Sequence, residues 1–411
     1  MPCKPVSFTL SRLLALLALA LVSLAAAAQT KFKVLYNFKG PPDAAAPWAG
    51  VTLNEEGDLY GTTPGGGTGK CGGGCGAVYK LTRQDSEVWT EKVVHSFQHA
   101  NDFVFGGLVG DGLGDLYGTT GGTDILFELT SRGIWRQFTL PDGGSNSSLA
   151  PDGLGHFYGP GGGGVFELGR AGRGWKQTVL YQFQCGSDGC GEVWSVVSDA
   201  KGNLYGTTKF GGNYPPMCSG SAGCGTVFEL TPEAGGKWKE QILHRFAQFK
   251  NDGQLPFGGL VLDSQGNLYG TTIEGGSVRN SGLCLVGCGV VFKLSPGANG
   301  QWKETIVHNF CQTKDCSDGA GPWGTLLFDA AGNLYGISAG GNSACYEGCG
   351  LVFRLTPQAN GQSQFSVLHR FDGKDGYTPV GGLASDGHGN FYGTTLSGGT
   401  HQYGVVYEIT P

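Results

Sequence analysis

The chain has 411 residues, 77 of them glycine, with only 15% charged residues and a net charge of −6. Both signs are scattered and no basic stripe is present, which removes the electrostatic footing for nucleic-acid binding. The glycines recur at fixed offsets beside Tyr, Phe, Trp and Leu, a pattern of turn chemistry in a packed β protein rather than of disorder.

At the N-terminus, Lys4 and Arg12 precede an apolar run from Leu13 to Leu24, and Ala25 to Ala28 supplies small residues. The run is short for a membrane span, and this order predicts a cleaved secretory signal over residues 1–28. Residues 29–411 are then expected to form one domain. No later stretch is apolar enough to cross a bilayer, so the expected location is periplasmic or extracellular, with no membrane span after signal cleavage.

Next comes Lys33-Val34-Leu35-Tyr36-Asn37-Phe38, an isolated strand. After it the pattern Leu-Tyr-Gly-Thr-Thr, or a close relative, occurs seven times, at Tyr60, Tyr117, Tyr158, Tyr205, Tyr269, Tyr335 and Tyr392. A period of roughly fifty residues signals a repeat architecture. The fifth copy is the cleanest. Strand A, Gly259 to Leu262, leads through the turn Asp263-Ser264-Gln265-Gly266-Asn267 into strand B, Leu268 to Thr272. The glycine inside strand B marks the close approach of a neighbouring backbone or ring. Val290 to Leu294 alternates as strand C, and Thr305 to Phe310 forms strand D. Four antiparallel strands on short turns make a propeller blade. Seven copies predict an all-β, seven-bladed β-propeller. The chain ends in a strand C, Val405 to Ile409, and the opening strand matches D, so the N-terminal strand should close the last blade. A parallel β-helix competes, but it needs no strand exchanged between the chain ends.

The unit Gly-Asn-Leu-Tyr-Gly-Thr-Thr…Gly-Gly…Gly-x-Val-Phe-x-Leu-Thr-Pro resembles the GloVer repeat of Gloeobacter- and Verrucomicrobia-type secreted proteins, the choice-of-anchor tandem repeats. The resemblance spans essentially all of residues 29–411. It implies an exported bacterial repeat protein without a fixed activity.

Apart from Cys3, the cysteines fall into six close pairs: Cys71/Cys75, Cys185/Cys190, Cys218/Cys224, Cys284/Cys288, Cys311/Cys316 and Cys345/Cys349. In an exported chain these predict local disulfides, and the absence of interleaved histidine argues against zinc at the pairs. All six pairs fall in B–C or D–A connections, which share one face of the disc. Variable loops on a rigid frame are where binding is usually found.

Residues aligned at the start of strand A are Trp48, Phe105, Asn146, Trp194, Phe257, Trp323 and Val380. The five aromatics, Trp48, Phe105, Trp194, Phe257 and Trp323, are expected around the channel mouth on the loop face. There they either stack on a ligand or plug the channel. His95, His244, His308 and His369 share one strand-D position with Tyr36 and Tyr181, which suits packing better than catalysis. The recurrent turn aspartates suit turn formation better than calcium. No nucleophile elbow, zincin helix or phosphate loop is present. The expectation is a monomeric, non-enzymatic binding or scaffold propeller for a glycan or protein, with no cofactor, no metal and no catalytic residues. The alternatives are an extracellular carbohydrate-active hydrolase or lyase using loop carboxylates (Asp188, Glu192, Glu274, Asp315, Asp318, Glu347) and a purely structural surface component.

Overall fold

The computed structural model describes residues 30–411, except 86, 103, 213–222, 248, 250, 279–283, 285 and 342–347. The expected signal, residues 1–28, lies outside the described residues. Seven antiparallel sheets succeed one another, over residues 52–96, 109–139, 150–182, 189–245, 253–309, 320–370 and 377–410, the last completed by Lys31–Asn37. Each runs in the order A–B–C–D, as a propeller blade requires. The closing strand pairs antiparallel with the C-terminal one, from Lys31 opposite Thr410 to Asn37 opposite Val405. Among the described residues the only helices are two short 3₁₀ turns, Ala298–Gly300 and Lys314–Cys316, and no helix is long and apolar enough to cross a membrane.

Each residue of the repeated motif has a separate job. In blade 5, Asp263 Oδ1 accepts the backbone N–H groups of Gln265 and Asn267, both at 2.9 Å. Its Oδ2 accepts Asn267 Nδ2 at 2.7 Å and the Tyr269 hydroxyl at 3.2 Å. Burial alone would raise the Asp263 carboxyl, but these hydrogen bonds outweigh it and hold the pKa below the ordinary value. The same clasp forms around Asp199 and Asp329. The aspartates are turn locks.

The motif glycine is a seat for a ring. A Cβ on Gly270 would stand 2.6 Å from Phe292 Cζ, and one on Gly206 would stand 2.6 Å from Phe228 Cζ. Phe292 and Phe228 are fully buried on strand C and fill the space between blades. The first threonine ties its blade to the next: Thr62 Oγ1 donates to Gly106 O at 2.8 Å, Thr207 to Gly258 O at 3.2 Å and Thr394 to Ala49 O at 2.9 Å. The second threonine closes its own B–C corner, as Thr272 does on Glu274 O at 2.9 Å.

Strand A differs from the sequence expectation. In blade 5 it begins earlier, at Gly253–Pro256, breaks, and resumes at Val261–Leu262. Register shifts at the same place interrupt strand A between Val193 and Val196, Trp323 and Leu327, and Val380 and Ala384. A bulge re-aims the side chains it carries. These breaks hold Trp194, Phe257 and Trp323.

A candidate binding cavity on the propeller axis

One cavity of about 90 Å³ is lined by a short segment from every blade: Ala49, Gly106, Ser147, Ser195, Gly258, Thr325 and Gly381 among them. Only the axis of the disc can meet all seven blades, so these segments are innermost. The strands crowd there. A Cβ on Gly324, at φ +86°, would meet Gly382 N at 2.6 Å, so only glycine allows the approach.

All five expected aromatics line this cavity, together with Asn146. They form a continuous run rather than an open ring. Phe105 packs edge-on against Trp48 at 5.5 Å, Trp48 against Trp323 at 5.7 Å and Trp323 against Phe257 at 4.5 Å, while Phe257 meets Trp194 at 4.0 Å with the rings tilted by 41°. The seventh position explains how the run crosses blade 7. Val380 is fully buried and leaves Trp48 and Trp323 free to meet. Phe257 is buried at 8% exposure, while Trp48, Phe105, Trp194 and Trp323 are half-buried and Asn146 is exposed. Edge-to-face packing of this kind adds about 0.5–1.5 kcal/mol per pair beyond burial. The cluster is therefore part floor and part surface.

A second cavity, of about 410 Å³, adjoins it and shares Asn146, Ser147 and Trp194. It runs outward over blades 2 and 3, bordered by Asp124, Gly161 to Gly164, and Glu192. This groove exists because those two blades carry the shortest B–C connections, a two-residue hairpin in blade 3 between Phe157–Gly161 and Gly164–Ala171. The other blades have longer loops there. Trp194 stands at the junction, and its indole N–H is buried without a hydrogen-bond acceptor.

The cavity wall holds no acid, base or metal ligand: its lining is Trp, Phe, Asn, Ser, Thr, Ala and Gly. At the groove, Asp124 Oδ1 accepts the Gly144 N–H at 2.8 Å, and Glu192 pairs with Lys209 at 3.1 Å. Disulfides join Cys71 to Cys75, Cys185 to Cys190, Cys284 to Cys288 and Cys311 to Cys316. Cys224 and Cys349 are also disulfide-bonded; their expected partners Cys218 and Cys345 lie outside the described residues, as does Glu347. Of the other loop carboxylates, Asp188 and Asp318 are held in their own loops by the Gln184 and Gln312 N–H groups, each at 2.9 Å.

Seven four-stranded blades closed by strand exchange around an aromatic-lined axis define a seven-bladed β-propeller. The Gloeobacter/Verrucomicrobia repeat model matches residues 122–313 and 216–411, and the chain belongs to that family. Among solved structures, it is similar to a virginiamycin B lyase from Staphylococcus aureus, catalytically inactive and crystallised with quinupristin. That likeness has a TM-score of 0.56 at 13% identity and covers 93% of this chain and 100% of the other. It is also similar to the extracellular domain of a hybrid two-component system from Bacteroides thetaiotaomicron, with a TM-score of 0.58 at 12% identity, covering 92% of this chain and 39% of that one. At such identities the likeness is one of fold. No curated protein sequence matches.

Proposed function

We propose that this protein is an exported, monomeric, non-enzymatic binding propeller, and that a glycan docks on its loop face, across the aromatic cluster and the adjoining groove. The observation that carries this reading is the junction at Trp194, where half-buried rings meet a groove bordered by Asn146, Ser147, Asp124 and Glu192. Flat apolar rings beside directional polar groups suit a sugar, which has apolar C–H faces and hydroxyl edges. Export is supported by the signal-like residues 1–28 and by disulfides, which persist in oxidising compartments.

The second reading, a hydrolase or lyase, rests on the presence of Asp124 and Glu192 at the same groove. Both are already engaged, one by a backbone amide and the other by Lys209, which favours binding over acid–base chemistry. A glycan array with wild type and Trp194→Ala, combined with an assay of reducing-end release, tests both readings. Binding that is lost in the variant, with no release, is the expected result. Release would establish the enzyme, and capture of proteins but not glycans would move the ligand class.

A further inference from the structure

The interfaces between neighbouring blades repeat a second constellation, away from the axial site. A ring on strand D of one blade meets a strand-D residue of the next, and an aspartate from the following D–A loop sits beside the ring. Where the ring is histidine, its opposite is aromatic: His95 stacks on Trp135 at 3.9 Å, His308 on Phe365 at 4.0 Å and His369 on Phe32 at 3.5 Å. Where the opposite residue is glutamate, the ring is tyrosine. Tyr36 bonds Asp43 beside Glu91, and Tyr181 bonds Asp188 beside Glu240.

The interface between blades 4 and 5 breaks this rule, because His244, Asp252 and Glu304 coincide there. His244 Nε2 lies 3.3 Å from Asp252 Oδ1 and 3.7 Å from Glu304 Oε1, and the three ligand atoms all lie within 4.8 Å of one another. The three side chains are 8%, 0% and 10% exposed. Glu304 Oε1 is buried and accepts no hydrogen bond. Three metal-ligating side chains drawn from two blades thus converge in one closed space.

We propose that His244, Asp252 and Glu304 form a divalent metal site of the zinc class that clamps blade 4 to blade 5. Tetrahedral ligands at about 2.0–2.2 Å from zinc stand roughly 3.3–3.6 Å apart. The observed 3.3 and 3.7 Å need only a small adjustment. Nitrogen with two carboxylate oxygens suits zinc, whereas calcium takes six to eight oxygens, more than this cluster offers. The ligands come from strand D of blade 4, from the loop entering blade 5, and from strand D of blade 5. A bound ion therefore bridges two blades.

The test uses the secreted chain freed of any affinity tag, loaded with zinc and dialysed. Wild type should retain one zinc per chain by mass spectrometry, melt higher with zinc than after chelation, and give the intense visible bands of tetrahedral cobalt when loaded with Co²⁺. His244→Tyr restores the Tyr–Asp–Glu arrangement of two other interfaces and should fold. It should bind zinc at least about 100-fold more weakly, beyond the ~10–100-fold that loss of an outer partner causes. Glu304→Gln should do the same. A wild type that retains no zinc, or a His244→Tyr chain that retains it equally, overturns the site.

Discussion

Removing the closing strand is the most direct test of how this ring holds itself together. Deleting residues 30–40 takes away six paired positions opposite Val405–Thr410 and two buried side chains, Leu35 and Phe38. Phe38 is fully buried and packs edge-on against Tyr79 of blade 1 at 4.9 Å, so it also joins the last blade to the first. Truncating a buried Leu costs about 2–5 kcal/mol and a buried Phe about 3–5 kcal/mol. The two together approach the whole net stability of a domain, about 5–15 kcal/mol, before the bare edge of strand C is counted. The deleted protein is therefore expected to lose its cooperative melt by circular dichroism and to elute as aggregate. Adding a synthetic 30–40 peptide should recover part of the monomer. A truncated chain that stays monomeric and melts within a few degrees of the full one would show that strand exchange does not hold the ring closed.

Glu240 offers a pH test. Burial first, and then the charge of Asp188, push its pKa up to about 7, with Arg245 partly opposing. The folded state thus keeps a proton that the unfolded chain releases, so this group's contribution is full below about pH 4.5 and is lost as pH rises toward 7. Glu240→Gln should flatten that part of the melting-temperature profile and melt above wild type at pH 8; an unchanged profile would contradict the assignment. Gly270→Ala should cost about 1–3 kcal/mol in urea unfolding by pressing on Phe292 and Leu260, and adding Phe292→Leu should return part of it. Trp194 ends the aromatic run, whereas Trp323 sits inside it between Trp48 and Phe257. Trp194→Ala should therefore weaken glycan binding by about 1–3 kcal/mol with little change in melting, and Trp323→Ala should lower both. Equal stability losses without a binding effect would make the whole cluster a plug.

Much of the architecture is legible in one dimension because it repeats. Seven Leu-Tyr-Gly-Thr-Thr copies set the blade count, the isolated opening strand and the terminal strand C set the closure, and the close cysteine pairs set the local bridges. Those signals lie within one period of the chain. Contacts that cross between blades have no such signal. That Gly270 makes room for Phe292, or that Thr207 holds Gly258, follows from how the sheets stack. The histidines at 95, 244, 308 and 369 read alike because they share one position, yet each meets a side chain on strand D of the neighbouring blade, which for His369 is Phe32 at the other end of the chain. Three stack on rings, and His244 meets two carboxylates. The aromatic residues at the start of strand A were visible as a column. Whether they stood apart or touched depended on the bulges that turn them toward the axis and on a small Val380 that lets Trp48 reach Trp323. Local sequence determines which strands form and how many blades they make, since both depend on residues a few positions apart. Tertiary structure decides which side chains meet, because that depends on the distance between sheets that the chain joins only by way of a whole blade.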